Sequence, residues 1–252
     1  MAIAALIGTI DHLAGRRLKP ESAFPFACHA GLACFNSCCS GKRLALLPYD
    51  VLRLRRALAM RSQELLERHA ELEIDPVSGW PVLRLRLDGA GRCPFVTAAG
   101  CSVYPHRPTC CRIYPLARAV APGPGGTAKA VYLLEKRPAG CLGMDEPGSP
   151  GQTVAGYVAS QGLAEYQPRN DRTSRLLLHP RLQRPVAFTA DQTHAGIQAL
   201  YNLDVFRQAV SVPGFAQRFG VDPERTALAL AADEDLLAFG HDWLEEQLVG
   251  PR

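Results

Sequence analysis

No run of eighteen apolar residues occurs in the 252-residue chain, so no transmembrane helix is expected. No block of five or more like charges occurs either. The 28 lysines and arginines against 24 acidic residues leave +4, spread as scattered arginines, which does not indicate nucleic-acid or acidic-membrane binding. No G-x-G-x-x-G follows a strand, no G-x-S-x-G elbow occurs and no H-E-x-x-H is present. These absences argue against a dinucleotide fold, a hydrolase of the serine-elbow type and a zincin. The first residues, "MAIAALIGTIDHLAGRR", lack the basic region of a secretory signal. Leu6, Ile10 and Leu13 recur at helical spacing, so residues 1–20 are expected to form an amphipathic arm. The expected compartment is the cytoplasm, where thiols stay reduced. An odd number of cysteines, nine, also argues against a disulfide framework.

What is present is an ordinary globular composition, 47% hydrophobic and 21% charged, enough for one sizeable core. The chain reads as the arm, a cysteine-cluster region over 21–150 and a mainly helical region over 151–252 packed on it. Residues 21–45 show no sustained period and read as loop. Pro48 opens a helix with Val51, Leu52, Leu54 and Leu58 inward and Arg53, Arg55 and Arg56 outward. Ser62 is placed to cap a second helix running through "QELLERHAEL". Leu83, Leu85 and Leu87 alternate with Arg84 and Arg86 as in a half-buried strand, and "DGAG" would return the chain through Cys93–Val96 as its hairpin partner. "CSVY" and "KAVYLLE" add two more strands, the latter after a "GPGG" turn at 123–126. "TADQTHAGIQALYNLDVFRQAV", "DPERTALALAA" with Asp222 as cap, and "DEDLLAFGHDWLEEQL" read as helices. The expected fold class is α+β: a small antiparallel sheet with cysteine-rich loops, surrounded and followed by helices.

Eight of the nine cysteines fall in two windows, Cys28, Cys34, Cys38 and Cys39, then Cys93, Cys101, Cys110 and Cys111, with Cys141 apart. Core cysteines behave as small hydrophobes and follow the apolar pattern. These sit among Gly, Pro, Asn and Ser instead, which points to a thiolate metal site. Only Cys34 and Cys38, with three residues between them, have the spacing of a zinc knuckle. The bacterial ferredoxin run C-x2-C-x2-C-x3-C-P is not present. Spacing therefore leaves zinc and iron–sulfur level. Adjacent side chains in a loop diverge, so one member of Cys38–Cys39 would ligate while the other contacts a second centre or is spare; the same holds for Cys110–Cys111. Eight sulfurs suffice for two four-ligand sites, or for one site with thiols to spare. Lys42, Arg43, Arg92, Arg107 and Arg112 flank the cysteines, and Arg107 and Arg112 are best placed to offset thiolate charge. His29 and His106 are lesser ligand candidates, and Tyr104 and Tyr114 are expected to pack beside the site.

The segments "CPFV" from Cys93, "CSVY" from Cys101 and "RPTCCRIYP" from Arg107 follow a phenylalanine-led cluster, Phe26 to Cys39, and precede Cys141 and Gly143. In that order they resemble the YkgJ-type cysteine-cluster proteins, the CxxCxxCC family described as zinc- or iron-chelating, over roughly residues 24–145. The resemblance implies Cys28, Cys34, Cys38, Cys39, Cys93, Cys101, Cys111 and Cys141 as metal ligands and leaves Cys110 as the extra thiol. Relatives of that family include a flagellin lysine N-methylase that looks like an iron–sulfur protein, which favours a 4Fe–4S cluster over zinc. The leading expectation is a cytoplasmic protein holding a Cys-ligated iron–sulfur cluster, with a redox or protein-modification role. A structural zinc interaction module and a protein-lysine methylase-like enzyme are the alternatives, so whether the chain is an enzyme stays open. Any partner is a protein or redox partner that the residues do not identify.

Overall fold

Proline's fixed φ suits the first turn of a helix, where its missing N–H costs nothing. Helix α1 accordingly runs Pro48–Ala57 in the computed structural model, which describes residues 15–75, 80–122, 128–135, 140–145, 152–182 and 188–250. Val51, Leu52 and Leu54 of α1 are buried. Its arginines do more than face water: Arg55 donates to Asp204 at 2.8 Å and to Asp233 at 2.5 Å, tying the helix to distant segments. Helix α2, Ser62–His69, starts with Ser62 as its first residue, not as its cap. The Asp204 carboxylate takes the Ser62 amide, so the capping group comes from another helix.

Helix α2 stops at His69, three residues short of the expected Leu72, and Ala70–Ile74 forms strand β3. Strand β4, Pro81–Leu85, needs a partner on each edge, and β3 supplies one in the register Leu72↔Leu83. Pairing overrode the helical propensity of the segment. Strand β2, Ala45–Leu46, supplies the other edge, giving the antiparallel order β2-β4-β3. Pro81, Leu83 and Leu85 are buried and Arg84 is half-buried, as the alternation predicts. The expected hairpin partner Cys93–Val96 does not return to β4. After the Asp88 turn the chain bonds instead to the first cysteine loop, through a Ser40–Arg92 bridge and a Cys93 N–H to Cys39 carbonyl bond of 2.8 Å.

Strands β5, Val96–Thr97, and β6, Gly100–Cys101, make a two-stranded ladder, so only Cys101 of "CSVY" is extended; a 3-10 turn over Tyr104–His106 follows. A short helix α3, Thr109–Ile113, and a cis Tyr114–Pro115 peptide lead into β7, Leu116–Pro122. β7 pairs with β8, Ala128–Glu135, which is the expected "KAVYLLE" strand. The "GPGG" turn between them lies outside the described residues. β8 also pairs with β1, Gly15–Leu18, so the expected helical arm ends in a strand, its first fourteen residues lying outside the described set.

The remaining elements are α4 Val154–Ser160, α5 Leu163–Leu177, α6 Ala190–Leu200, α7 Leu203–Ser211, α8 Pro213–Phe219, α9 Pro223–Ala229 and α10 Asp233–Val249. The long helix expected from Thr189 to Val210 breaks at Tyr201–Asn202, where the Asn202 side chain donates to Gln63 at 2.6 Å. Asp222 caps α9 as expected, accepting from the Glu224 N–H at 2.8 Å. Leu236, Leu237, Phe239, Trp243 and Leu244 of α10 are buried. Each such side chain contributes about 1.5–3 kcal/mol. They join the α1 and β4 side chains in one hydrophobic core. The fold is α+β, with three small antiparallel sheets among the described residues where one was expected.

Candidate metal centre

The loop before β2 carries Cys28, Cys34, Cys38 and Cys39 and is held at both ends by backbone bonds. At its start the Ala27 N–H donates to the Gly143 carbonyl at 2.9 Å, which lays the Cys141 segment beside Cys28. Gly143 is required there: a Cβ would lie 2.5 Å from the Ala27 carbonyl oxygen. The Leu142 N–H then donates to the Cys34 sulfur at 3.3 Å. Within the loop, His29 spends its Nδ1 on the Gly31 N–H at 3.2 Å. Asn36 takes a left-handed φ of 68° ahead of the 3-10 turn Ser37–Cys39. Its side chain donates to the Thr97 carbonyl at 3.0 Å, joining this loop to β5.

At the loop's far end the Cys39–Cys93 backbone bond brings in the second window. The Cys93 carbonyl accepts from Val96 at 3.2 Å, and Val96 pairs with Cys101 across the β5–β6 ladder. Cys111 enters from α3. Five short stretches of chain, spread over residues 28–141, thus carry the cysteines into one region.

The thiols fall into two groups of neighbours that are joined through Cys38 and Cys39. Cys28 is surrounded by Cys38, Cys34 and Cys141, and burial first, then those thiols, push it up. Cys93 faces Cys111 and Cys101, and Cys101 faces Cys111; burial is the main cause of their upward shifts. Cys39 joins the second set, with Cys93 and Cys111 as neighbours beyond Cys38. Cys38 and Cys39 do not diverge as expected, because the tight 3-10 turn lets their thiols hydrogen-bond. That bond lowers Cys38 to about 6, with help from Lys42, and raises Cys39. Cys110 and Cys111 touch in the same way, which together with burial raises Cys111. Cys110 turns to β2, its thiol donating to the Ala45 carbonyl at 3.5 Å.

None of the nine cysteines is in a disulfide; Cys28 and Cys38 are exposed and the others half-buried. Among the described residues, no three His, Cys, Asp or Glu side chains stand at the spacing that holds a metal ion. The sulfurs are grouped without being drawn to ligand distance. The donor set nevertheless fits a soft metal. Thiols packed together, as Cys39, Cys93, Cys101 and Cys111 are, are pushed up and resist ionising together, and a cation among them removes that repulsion.

Arg107 and Arg112, the two arginines inside the motif, are buried but act differently. Arg112 spends its donors on the carbonyls of Arg107, Gln161 and Pro105, at 2.9, 2.7 and 2.5 Å, and on the Tyr166 hydroxyl at 3.0 Å, so it holds the loop together. Arg107 stacks on Tyr104 at 3.8 Å and partly offsets the upward shifts of Cys101 and Cys111. His106 is engaged by Arg53 at 3.4 Å. Tyr104 is more than half exposed, whereas Tyr114 packs edge-on against Phe26 at 5.9 Å and is pushed up by burial and by Cys141. Phe24 and Tyr157 complete that aromatic wall.

The cysteine pattern did not reveal Asp50. It is fully buried in α1 and accepts from the Leu47 N–H at 3.1 Å, the Thr109 N–H at 3.0 Å, the Thr109 hydroxyl at 2.6 Å and Asn170 at 3.4 Å. It thereby fixes the start of α3, two residues before Cys111. The visible signal was an acid in the first turn of a proline-led helix. Nothing marked its bond to Thr109.

His241 and Asp242 serve the packing of α10. His241 is buried and bonded to Leu237 and Thr173 at 2.8 Å, and Asp242 pairs with Arg172 at 2.5 Å. No helix among the described residues is long and apolar enough to cross a membrane.

No curated protein and no solved structure matches the chain. Residues 27–141, which span all nine cysteines, match the family described as "CxxCxxCC: Putative zinc- or iron-chelating domain". The matched stretch opens one residue before Cys28 and closes on Cys141 itself. Over those residues, a little under half of the chain, the protein is similar to the CxxCxxCC family.

Proposed function

We propose that this protein holds a Cys-ligated iron–sulfur cluster, of the 4Fe–4S type, with Cys28, Cys34, Cys38, Cys39, Cys93, Cys101, Cys111 and Cys141 as its ligand pool. The observation that carries the reading is the match of residues 27–141, which hold all nine cysteines, to a zinc- or iron-chelating domain, together with the backbone bonds that draw those cysteine-bearing segments to one another. A thiolate-bound cluster would supply one-electron chemistry for a redox or protein-modification role. The chain's own residues do the rest. Lys42 and Arg107 offset thiolate charge beside Cys38 and Cys101, and Phe26, Tyr114 and Tyr157 limit water on the Cys141 side.

Zinc is the second reading, since the family description names both metals. Colour separates them. Anaerobically isolated protein should be brown with a broad band near about 400 nm from sulfur-to-iron charge transfer, bleached by reductant. A colourless protein carrying zinc would replace the first reading with the second.

A further inference from the structure

We infer that the outer edge of β3 is a docking site for an extended polypeptide strand of a partner, one in which apolar and basic side chains alternate. The inference does not depend on what the cysteines bind.

The hydrogen-bond register shows which backbone groups of β3 face outward. The Arg86 N–H donates to the His69 carbonyl at 2.8 Å, and the Asp75 N–H to the Trp80 carbonyl at 2.9 Å. Bonded and non-bonded pairs alternate along an antiparallel ladder. Glu71 and Glu73 therefore turn their amides and carbonyls to β4, and Ala70, Leu72 and Ile74 turn theirs away from it. Pro81, which has no N–H, sits opposite Ile74 as this register requires. Ala70 is already engaged: its N–H donates to the Leu66 carbonyl and its carbonyl accepts from Arg86 at 2.8 Å. Leu72 and Ile74 keep two N–H and two C=O groups without a partner among the described residues, on an edge that pairs with no further strand there.

The side chains mark the same two residues. Leu72 is 52% and Ile74 49% exposed, whereas Leu83 and Pro81 opposite them on β4 are buried. Helix α6 covers that face at β4, where a Cβ on Gly196 would lie 3.8 Å from the Pro81 ring. A strand laid along β3 would pair with the four open groups and cover both apolar side chains. Its charge follows from the other face, which carries Glu71 and Glu73. There β4 answers with Arg84, opposite Glu71 in the register and 2.8 Å from Glu73. Arg43 takes the other Glu73 oxygen, while Glu71 is exposed and has no ion pair among the described residues. A second copy pairing two-fold through Leu72 and Ile74 would set Glu73 against Glu73, and like charges directly opposite repel. A basic strand repeats the match that β4 makes.

The test titrates the intact chain into a fluorescein-labelled peptide of sequence Arg-Val-Arg-Ile-Arg, read by fluorescence anisotropy. The chain should bind it. Glu71→Lys, and Leu72→Ser combined with Ile74→Ser, should each weaken binding about tenfold. Val212→Ser, which alters an exposed apolar residue elsewhere, should leave it unchanged. N-methylation of the peptide's valine and isoleucine amides, which would face β3, should abolish binding, whereas methylation of its middle arginine amide should not. Circular dichroism identifies any variant that fails to fold, and the two methylated peptides, tested on the intact chain, then decide. No binding, equal binding of a peptide with glutamates for arginines, or the same effect from both methylations would overturn the inference. So would a dimer seen by sedimentation that Leu72→Ser dissolves, since a second copy would then occupy the edge.

Discussion

Replacing Asp50 by alanine probes the link between the core and the cysteine region. The carboxylate is fully buried and takes hydrogen bonds from four donors on Leu47, Thr109 and Asn170. A buried donor left without a partner costs about 1–3 kcal/mol. Leu47 and Thr109 are only half-buried, so water can take over part of their loss. Burial also pushes the Asp50 carboxyl up, so removing it relieves a desolvation cost. The net expectation is a loss of about 3 kcal/mol, a large share of the 5–15 kcal/mol typical of a domain. Asp50→Asn keeps one acceptor oxygen and should lose about half as much. Urea unfolding followed by circular dichroism, with metal content measured on the same samples, reads both values. An alanine variant within about 0.5 kcal/mol of the parent, or an asparagine variant worse than alanine, would refute this account of the network.

Two further outcomes follow from the same geometry. Gly143→Ala forces a Cβ against the Ala27 carbonyl and should lower metal content with the helices intact, read by metal analysis beside circular dichroism. An unchanged content would show that the Cys28–Cys141 approach is dispensable. His241 donates from Nδ1 to the Leu237 carbonyl and accepts from Thr173 at Nε2, and burial, assisted by Arg172 and Arg175, lowers it to about 4. Its unfolded value is about 6.5, so the unfolded chain binds the extra proton. Stability is therefore whole above about pH 6.5 and falls by about 3 kcal/mol as pH drops towards 4, at 1.36 kcal/mol per unit. His241→Gln should flatten that part of the pH–stability curve; equal slopes in parent and variant would refute the assignment.

Local rules read well where local physics decides. Pro48 at a first turn, Asp222 as a cap and the Leu83–Leu85 alternation each depend on residues a few positions apart, and each is found as expected. The errors lie where a distant partner decides. Ala70–Ile74 is a strand because β4 lacks an edge, and Ser62 is capped by Asp204 from 142 residues away. The chain from Cys93 turns to Cys39 because a cysteine loop offered a free carbonyl, which no hydrophobic period encodes. The cysteines themselves were legible as a group, since their loop setting and ordered segments are linear features. How they are brought together was not. It depends on Gly143 meeting Ala27 and on Val96 pairing with Cys101, contacts that only the folded backbone provides.

The most direct measurement is iron, zinc and acid-labile sulfide per chain in protein isolated without oxygen. Iron and sulfide in equal amounts, lost together when Cys111 is replaced along with Cys28, are the predicted result. A folded chain that contains no metal, and takes none up when iron, sulfide or zinc is offered, would contradict the claim that these thiols exist to bind one.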